Sequence, residues 1–252
     1  MAVILMTGAS GRIGTLLRKR LAHHELRLTD LRPDDGVAAL DVTDGAAVRR
    51  AARGADAILH LGGIADEQSF EDVLAANVRG TEGVLSGAHH AGVPRVIIAS
   101  SNHAAGLWSR DEAGPGGLAD DVSPRPDSYY GWSKAAIESL ARLHHERDGL
   151  HVVCLRIGRC ADRPSTPREL AVWLSPDDMA RLVEASLTAT GWHVVWGVSA
   201  NTRRWWSAAG GRAIGYRPLD DAEDWAAEVG EPDPGSTADR LVGGGIPGTR
   251  TK

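Results

Sequence analysis

Apolar residues in this chain fall in short unbroken runs, separated by stretches of helical period. "AVILM" at residues 2–6 is continuous rather than alternating, the pattern of a strand buried on both faces, as in parallel sheets. "RIGTLLRKRLAHH" then puts Ile13, Leu16, Leu17 and Leu21 on one side of a helix. "ELRLTD" alternates and reads as a second strand, and "GVAALDVTD" as a short third. Thr43 or Asp44 caps a helix through "GAAVRRAARG". "DAILHLGG" is a fourth strand, residues 67–91 a long helical stretch, and "PRVIIASS" a fifth strand. A Gly/Pro/Asp-rich loop over 109–127 leads into a helix carrying "SYYGWSKAAIE", residues 128–138, and "LHVVCLRIG" is a sixth strand. Strands alternating with helices imply βαβ units, and right-handed crossovers wind these into an α/β fold with a parallel sheet.

From about residue 159 prolines, tryptophans and arginines accumulate, as in "VVWGVSANTRRWW". This predicts a small, less regular region beside the sheet. The last stretch, from about residue 231, has no periodicity and reads as an extended or disordered tail, or as an arm held by a partner subunit.

Composition narrows the function classes. Hydrophobic residues make up 42% and charged residues 24%, as in ordinary soluble proteins, and the net charge of −5 argues against a nucleic-acid partner. No apolar run approaches the roughly 18–20 residues of a membrane span, and the N-terminus lacks the basic start of a signal peptide, so a cytoplasmic location is expected. Cys154 and Cys160 read as reduced thiols. Six of the ten histidines form the adjacent pairs His23/His24, His89/His90 and His144/His145, which read as solvated helix ends rather than metal ligands.

Three features carry chemistry. "MTGASGRIG" follows the first strand and opens the first helix, with glycines at 8, 11 and 14. Glycines allow a tight turn and close backbone approach to a pyrophosphate, which the helix N-terminus attracts. Gly8, Gly11, Arg12, Ile13 and Gly14 are therefore the candidate cradle, the context of a Rossmann-type doubly wound sheet. Asp30 ends the second strand, where a carboxylate accepts hydrogen bonds from ribose hydroxyls and repels a 2′-phosphate, so NAD is favoured over NADP, with Arg32 close by to blunt the preference. Tyr130 and Lys134 share a helix face at i,i+4, whereas Tyr129 has Ser133 there. An ammonium near Tyr130 is expected to lower its pKa and make it a base. Ser101, at the end of the fifth strand, reaches the same rim of the sheet.

Together these motifs resemble the extended short-chain dehydrogenase/reductases over roughly residues 1–160. The resemblance implies a catalytic set of Ser101, Tyr130 and Lys134. It also implies Asp41 and Val42 beside the adenine, Leu61, Gly62 and Gly63 along the cofactor, and Asn77 as a structural or proton-relay residue. "HLGGIADEQSFEDVL", "ASSNHAAG", "RPDSYYGWSK", "LRIGRC" and "RELAVWLSPDD" are similar, almost end to end, to bacterial uronate dehydrogenases. Those enzymes oxidise C1 of glucuronate or galacturonate to an aldarolactone. The resemblance implies that Asn102, His103 and Arg168 line the sugar site, with Arg168 on the substrate carboxylate, a group that guanidinium pairs with bidentately. Two usual serines near the substrate are replaced here by Ala65 and Arg159.

The expected organisation is a dinucleotide-binding domain over 1–158, a contiguous substrate-binding region over 159–230 and a tail over 231–252. So small a C-terminal region suits a free sugar better than a nucleotide sugar. The expected ligands are NAD and a small sugar acid, with no metal and a homo-oligomeric assembly. The alternatives are an NAD-dependent epimerase or dehydratase of the same fold that returns the hydride, or a dehydrogenase for a different small sugar, and a non-catalytic redox-sensing module is a further one.

Overall fold

A computed structural model describes residues 1–233 and 235–245. Seven strands form one sheet in which each pairing is parallel: β1 (Val3–Thr7), β2 (Glu25–Asp30), β3 (Ala38–Ala39), β4 (Ala57–His60), β5 (Arg95–Ser101), β6 (His151–Ile157) and a last strand at Trp192–Gly197. Their order is β3-β2-β1-β4-β5-β6 with Trp192–Gly197 at the far edge. The order reverses between β1 and β4, which is where open α/β sheets bind ligands.

The unbroken apolar runs are explained by burial on both faces. Ile4, Met6, Ile97, Val153 and Leu155 point to one side, where α1 (Arg12–Arg20) packs with the helix Pro176–Ser186. Leu5, Ile58, Val96, Ile98, Val152 and Cys154 point to the other, under α2 (Gly45–Ala52), the helix Gly80–Ala91 and the helix Tyr129–Asp148. Asp44 rather than Thr43 caps α2, accepting from the amides of Ala46 and Ala47.

Four readings change. The expected helix over 67–91 is three pieces, α3 (Phe70–Val73), a π-helical turn (Leu74–Arg79) and α4 (Gly80–Ala91), because one extra residue per turn is inserted around Asn77. The third strand shrinks to two residues. After α5 (Tyr129–Asp148) and β6, the region beyond 158 is not all peripheral. It holds the two-residue strands β7 (Arg159–Cys160) and β8 (Trp173–Leu174), with α6 (Glu169–Val172) between them, then α7 (Pro176–Ser186) and the sheet's own edge strand β9 (Trp192–Gly197). Trp192–Gly197 joins the sheet because its valines, Val194 and Val195, bury on opposite faces.

The tail is the fourth. Residues 236–245 fold back over the chain: Thr237–Arg240 is a helical turn and Val242 is fully buried beside Trp205 and Trp206. Residues 246–252 of the expected tail lie outside the described residues. Both cysteines are free and buried. Among the described residues no helix is long and apolar enough to cross a membrane.

The histidine pairs are less uniform than their sequence suggests. His144 is buried and bonds Asp148 at 2.7 Å. His23 and His24 lie in a turn, not a helix, and both meet Glu184, at 2.8 and 2.9 Å. The three ligand atoms lie within 4.8 Å of one another. The amide of Ala2 donates to His24 Nδ1, so Nε2 carries the proton toward Glu184 and the group is satisfied as a hydrogen-bonded set.

Candidate active site

A cavity of about 430 Å³ opens at the carboxyl ends of β1, β4, β5 and β6. Its inner wall is the glycine turn. Gly8 has φ +71°, and a Cβ there would lie 2.5 Å from the amide nitrogen of Gly62, so the turn after β1 packs directly on the turn after β4. A Cβ on Gly14 would lie 2.5 Å from Gly8 O. The first helical amide to find its partner is that of Thr15, bonded to Gly11 O, which leaves the amides of Arg12, Ile13 and Gly14 at the positive end of α1 open to an anion. Gly11, Arg12, Ile13, Leu61 and Gly63 line the same cavity.

Asp30, at the end of β2, accepts from the amide of Ser10 at 3.0 Å. Strand order puts Asp30, Asp41 and Val42 on the flank of β1 away from α5, at the carboxyl ends of β2 and β3. Asp41 is held by the amide and hydroxyl of Thr43, which lower its pKa. A crevice with a glycine wall, free helix-start amides and a carboxylate beyond them fits a dinucleotide.

The outer wall carries Ser101, Asn102, His103, Tyr130, Lys134, Ala65 and Arg159. Ser128 caps α5 by accepting from the amide of Gly131, and this fixes where the two tyrosines point. Tyr130 is 8% exposed and faces the cavity, whereas Tyr129 is 54% exposed and packs outside against Phe70. Lys134 Nζ donates to Ala99 O at 2.8 Å and lies 5.7 Å from the Tyr130 ring. Burial drops the Lys134 pKa to about 8.

The expected lowering of the Tyr130 pKa is not found. Its pKa is raised, first by burial, and Asp66 and Asp127 add to this while the Ser101 hydroxyl pulls the other way. The ammonium of Lys134 is turned to a backbone carbonyl, and the desolvation of the phenol dominates.

Asn77 is completely buried and acts as a brace. Its Oδ1 accepts from the amide of Ile64, and its Nδ2 donates to Ile64 O and to Ser133 Oγ, tying the loop after β4 to α5. Gly63, at φ +141°, leaves the room this needs.

Arg168 is not brought into the cavity. Its guanidinium donates to the carbonyls of Ala238, Leu241 and Val242 in the folded-back tail and lines a separate cavity of about 390 Å³. Burial lowers its pKa to about 10. Asn102 also serves the tail, donating to Val242 O at 2.8 Å.

Two carboxylates at the start of α5 escaped the sequence reading. Glu67 accepts from the amides of Tyr129 and Tyr130, at 3.1 and 2.8 Å. Asp127 accepts from His103 Nδ1 at 2.8 Å. The signal available for the second was its place in "RPDSYYG", one residue before the cap.

Residues 4–161 match the model of the NAD dependent epimerase/dehydratase family. The chain belongs to that family. Uronate dehydrogenase of Pseudomonas putida is 39% identical over 248 residues, covering 94% of this chain and 90% of its own. A tyrosine-to-alanine variant of uronate dehydrogenase from Agrobacterium tumefaciens, complexed with NAD, superposes with a TM-score of 0.89 at 37% identity, covering 97% and 96% of the two chains. A glucuronic acid dehydrogenase from Chromohalobacter salexigens gives 0.88 at 35%, covering 98% of each. These likenesses run on past the residues that the family model matches, over nearly the whole chain.

Proposed function

We propose that this protein is an NAD-dependent oxidoreductase that oxidises a uronate, D-glucuronate or D-galacturonate, at C1 to the aldarolactone. The observation that carries this is the meeting, in one cavity, of the glycine turn with Ser101, Tyr130 and Lys134. Its support is the likeness to uronate dehydrogenases over more than nine-tenths of the chain.

When bound, NAD supplies the hydride acceptor, and Gly8–Gly14 and Asp30 hold its pyrophosphate and adenosine ribose. Tyr130 takes the proton of the C1 hydroxyl as the C1 hydride leaves. Ser101 donates to the same oxygen as it gains carbonyl character. Lys134 keeps a positive charge near the phenolate. Glu67, on the first two amides of α5, and Asn77, behind Ser133, hold the helix in register so that the phenol meets the substrate. His103 and Asn102 form the sugar's outer wall.

The test is NADH absorbance with NAD⁺ and a panel of uronates and neutral aldoses. Net NADH from a uronate is the expected result. Bound NAD with no net NADH, together with sugar isomerisation, would assign an epimerase instead.

A further inference from the structure

We infer that Arg159 holds the anionic group of the sugar. This deepens the reading above and rests on it.

The backbone beneath Arg159 is clamped. Gly158 N donates to Gly197 O, a Cβ on Gly158 would lie 2.1 Å from Val172 O, and Arg159 pairs with Trp173 in β7–β8. The side chain therefore leaves the sheet from a fixed point. That point is near the chemistry: Ile157 is the register partner of Ser101, and Arg159 lies two residues further on. Neighbouring strands are about 4.8 Å apart with a rise of about 3.3 Å per residue, so the two Cα atoms are roughly 8 Å apart. In a pyranose whose C1 meets Tyr130 and Ser101, C5 is joined to C1 through the ring oxygen, so its carboxylate lies within reach of an arginine from there.

The Arg159 guanidinium is available. It is 42% exposed and lines the cavity. Its one ion pair is a long one, Nε to Glu169 at 3.4 Å, and Glu169 is itself engaged by the amide of Ser165 at 2.7 Å. Among the described residues neither Nη group of Arg159 makes a hydrogen bond, so the fork that grips a carboxylate is open. Arg168, by contrast, spends Nη1 on two tail carbonyls and Nη2 on a third. Asp66, on the facing loop of the cavity, repels an anion and orients it toward Arg159.

Kinetics with NAD⁺ on a uronate and its neutral aldose, for wild type, Arg159→Ser, Arg159→Lys and Arg168→Ala, test this. Losing a charge-assisted bond costs about tenfold to a hundredfold in affinity. Arg159→Ser should raise the uronate KM by about that factor, leave the aldose KM within about twofold and change kcat little. Arg159→Lys should recover part of the loss, because a point charge replaces the fork. Binding is also read without turnover, by the thermal shift that glucuronate gives the NADH-loaded protein. Arg159→Ser should lose that shift. A uronate KM within about twofold of wild type, an equal rise for both sugars, or an undiminished thermal shift would overturn the assignment to Arg159. Binding without NADH formation in the wild type would instead overturn the proposed activity and leave the Arg159 result readable.

Discussion

Asp127 accepts a hydrogen bond from His103 Nδ1 at 2.8 Å, inside a cradle where three glycines leave no space for a side chain. A Cβ on Gly106 would lie 2.2 Å from the carboxylate, one on Gly131 2.8 Å and one on Gly243 1.7 Å. The loop after β5, α5 and the tail thus converge on one buried acid. Because Nδ1 donates to Asp127, Nε2 of a neutral His103 is left as an acceptor, which in the proposed site would meet a sugar hydroxyl. Asp127→Asn should lower kcat/KM for the sugar about tenfold through KM, with the NAD⁺ KM unchanged. Gly243→Ala should do the same and cost about 1–3 kcal/mol in denaturant unfolding, because the tail must lift from the carboxylate. Wild-type kinetics in both variants would show that the cradle has no part in sugar binding.

In the proposed mechanism the reactive form of Tyr130 is the phenolate, and burial raises its pKa, so oxidation should be slow at neutral pH and gain speed as protons are removed. Lys134 must keep its proton and begins to lose it at about 8. The product of the two populations rises about tenfold per pH unit below about 8 and flattens above it. Log kcat/KM against pH should show that slope and that break. Tyr130→Phe should lose at least about 100-fold in rate while still binding NADH. A flat profile from pH 6 to 8, or an active phenylalanine variant, contradicts the assignment.

The sheet and the cofactor turn were legible because both rest on local pattern, apolar runs for strands and glycine spacing for the turn. What escaped depends on contacts far apart in sequence. Trp192–Gly197 looked irregular because its aromatic ends hide two inward valines. The tail is recognised by Arg168 and Asn102 through its backbone carbonyls, which leave no trace in residue identity. The cation beside Tyr130 was readable from i,i+4 spacing, but not its alignment on Ala99 O or the desolvation that outweighs it.

Asp30 bears on which dinucleotide is used. Its carboxylate is pinned by the amide of Ser10, so a 2′-phosphate would meet a fixed negative charge. NAD⁺ should be preferred over NADP⁺ in kcat/KM, and Asp30→Ser should shrink that preference by about tenfold or more. An unchanged ratio would mean that selectivity resides elsewhere.

His60 makes the fold sensitive to acid. It is fully buried between Thr7 and Thr81, at 2.7 and 3.2 Å, and burial drops its pKa from 6.5 to about 3, with the Lys134 charge adding to this. A depressed histidine favours the neutral folded form, so the unfolded chain binds the extra proton between about 6.5 and about 3. Stability is intact above that window and falls by roughly 1.4 kcal/mol per pH unit on the way down through it. Urea midpoints at pH 7, 5 and 4 should fall more steeply for wild type than for His60→Gln, which cannot titrate there. Parallel slopes would remove His60 as the cause.

Arg168 is the tail's anchor. Its guanidinium gathers the carbonyls of Ala238, Leu241 and Val242, and Gly244, at φ +72°, packs where a Cβ would come within 2.8 Å of its Nε. Arg168→Ala removes the donor and leaves these carbonyls without it, at a cost of about 2–5 kcal/mol, most of it local to the tail. Hydrogen exchange should therefore speed up over 238–245, including the amides of Val242 and Gly243, which donate to Trp108 O and Gly106 O, while β1 and β5 stay protected. Because the tail backs Asn102 and His103, the sugar KM should rise for uronate and aldose alike, the opposite of the selective loss expected at Arg159. Tail exchange at the wild-type rate, with a KM rise confined to the uronate, would return the substrate's carboxylate to Arg168.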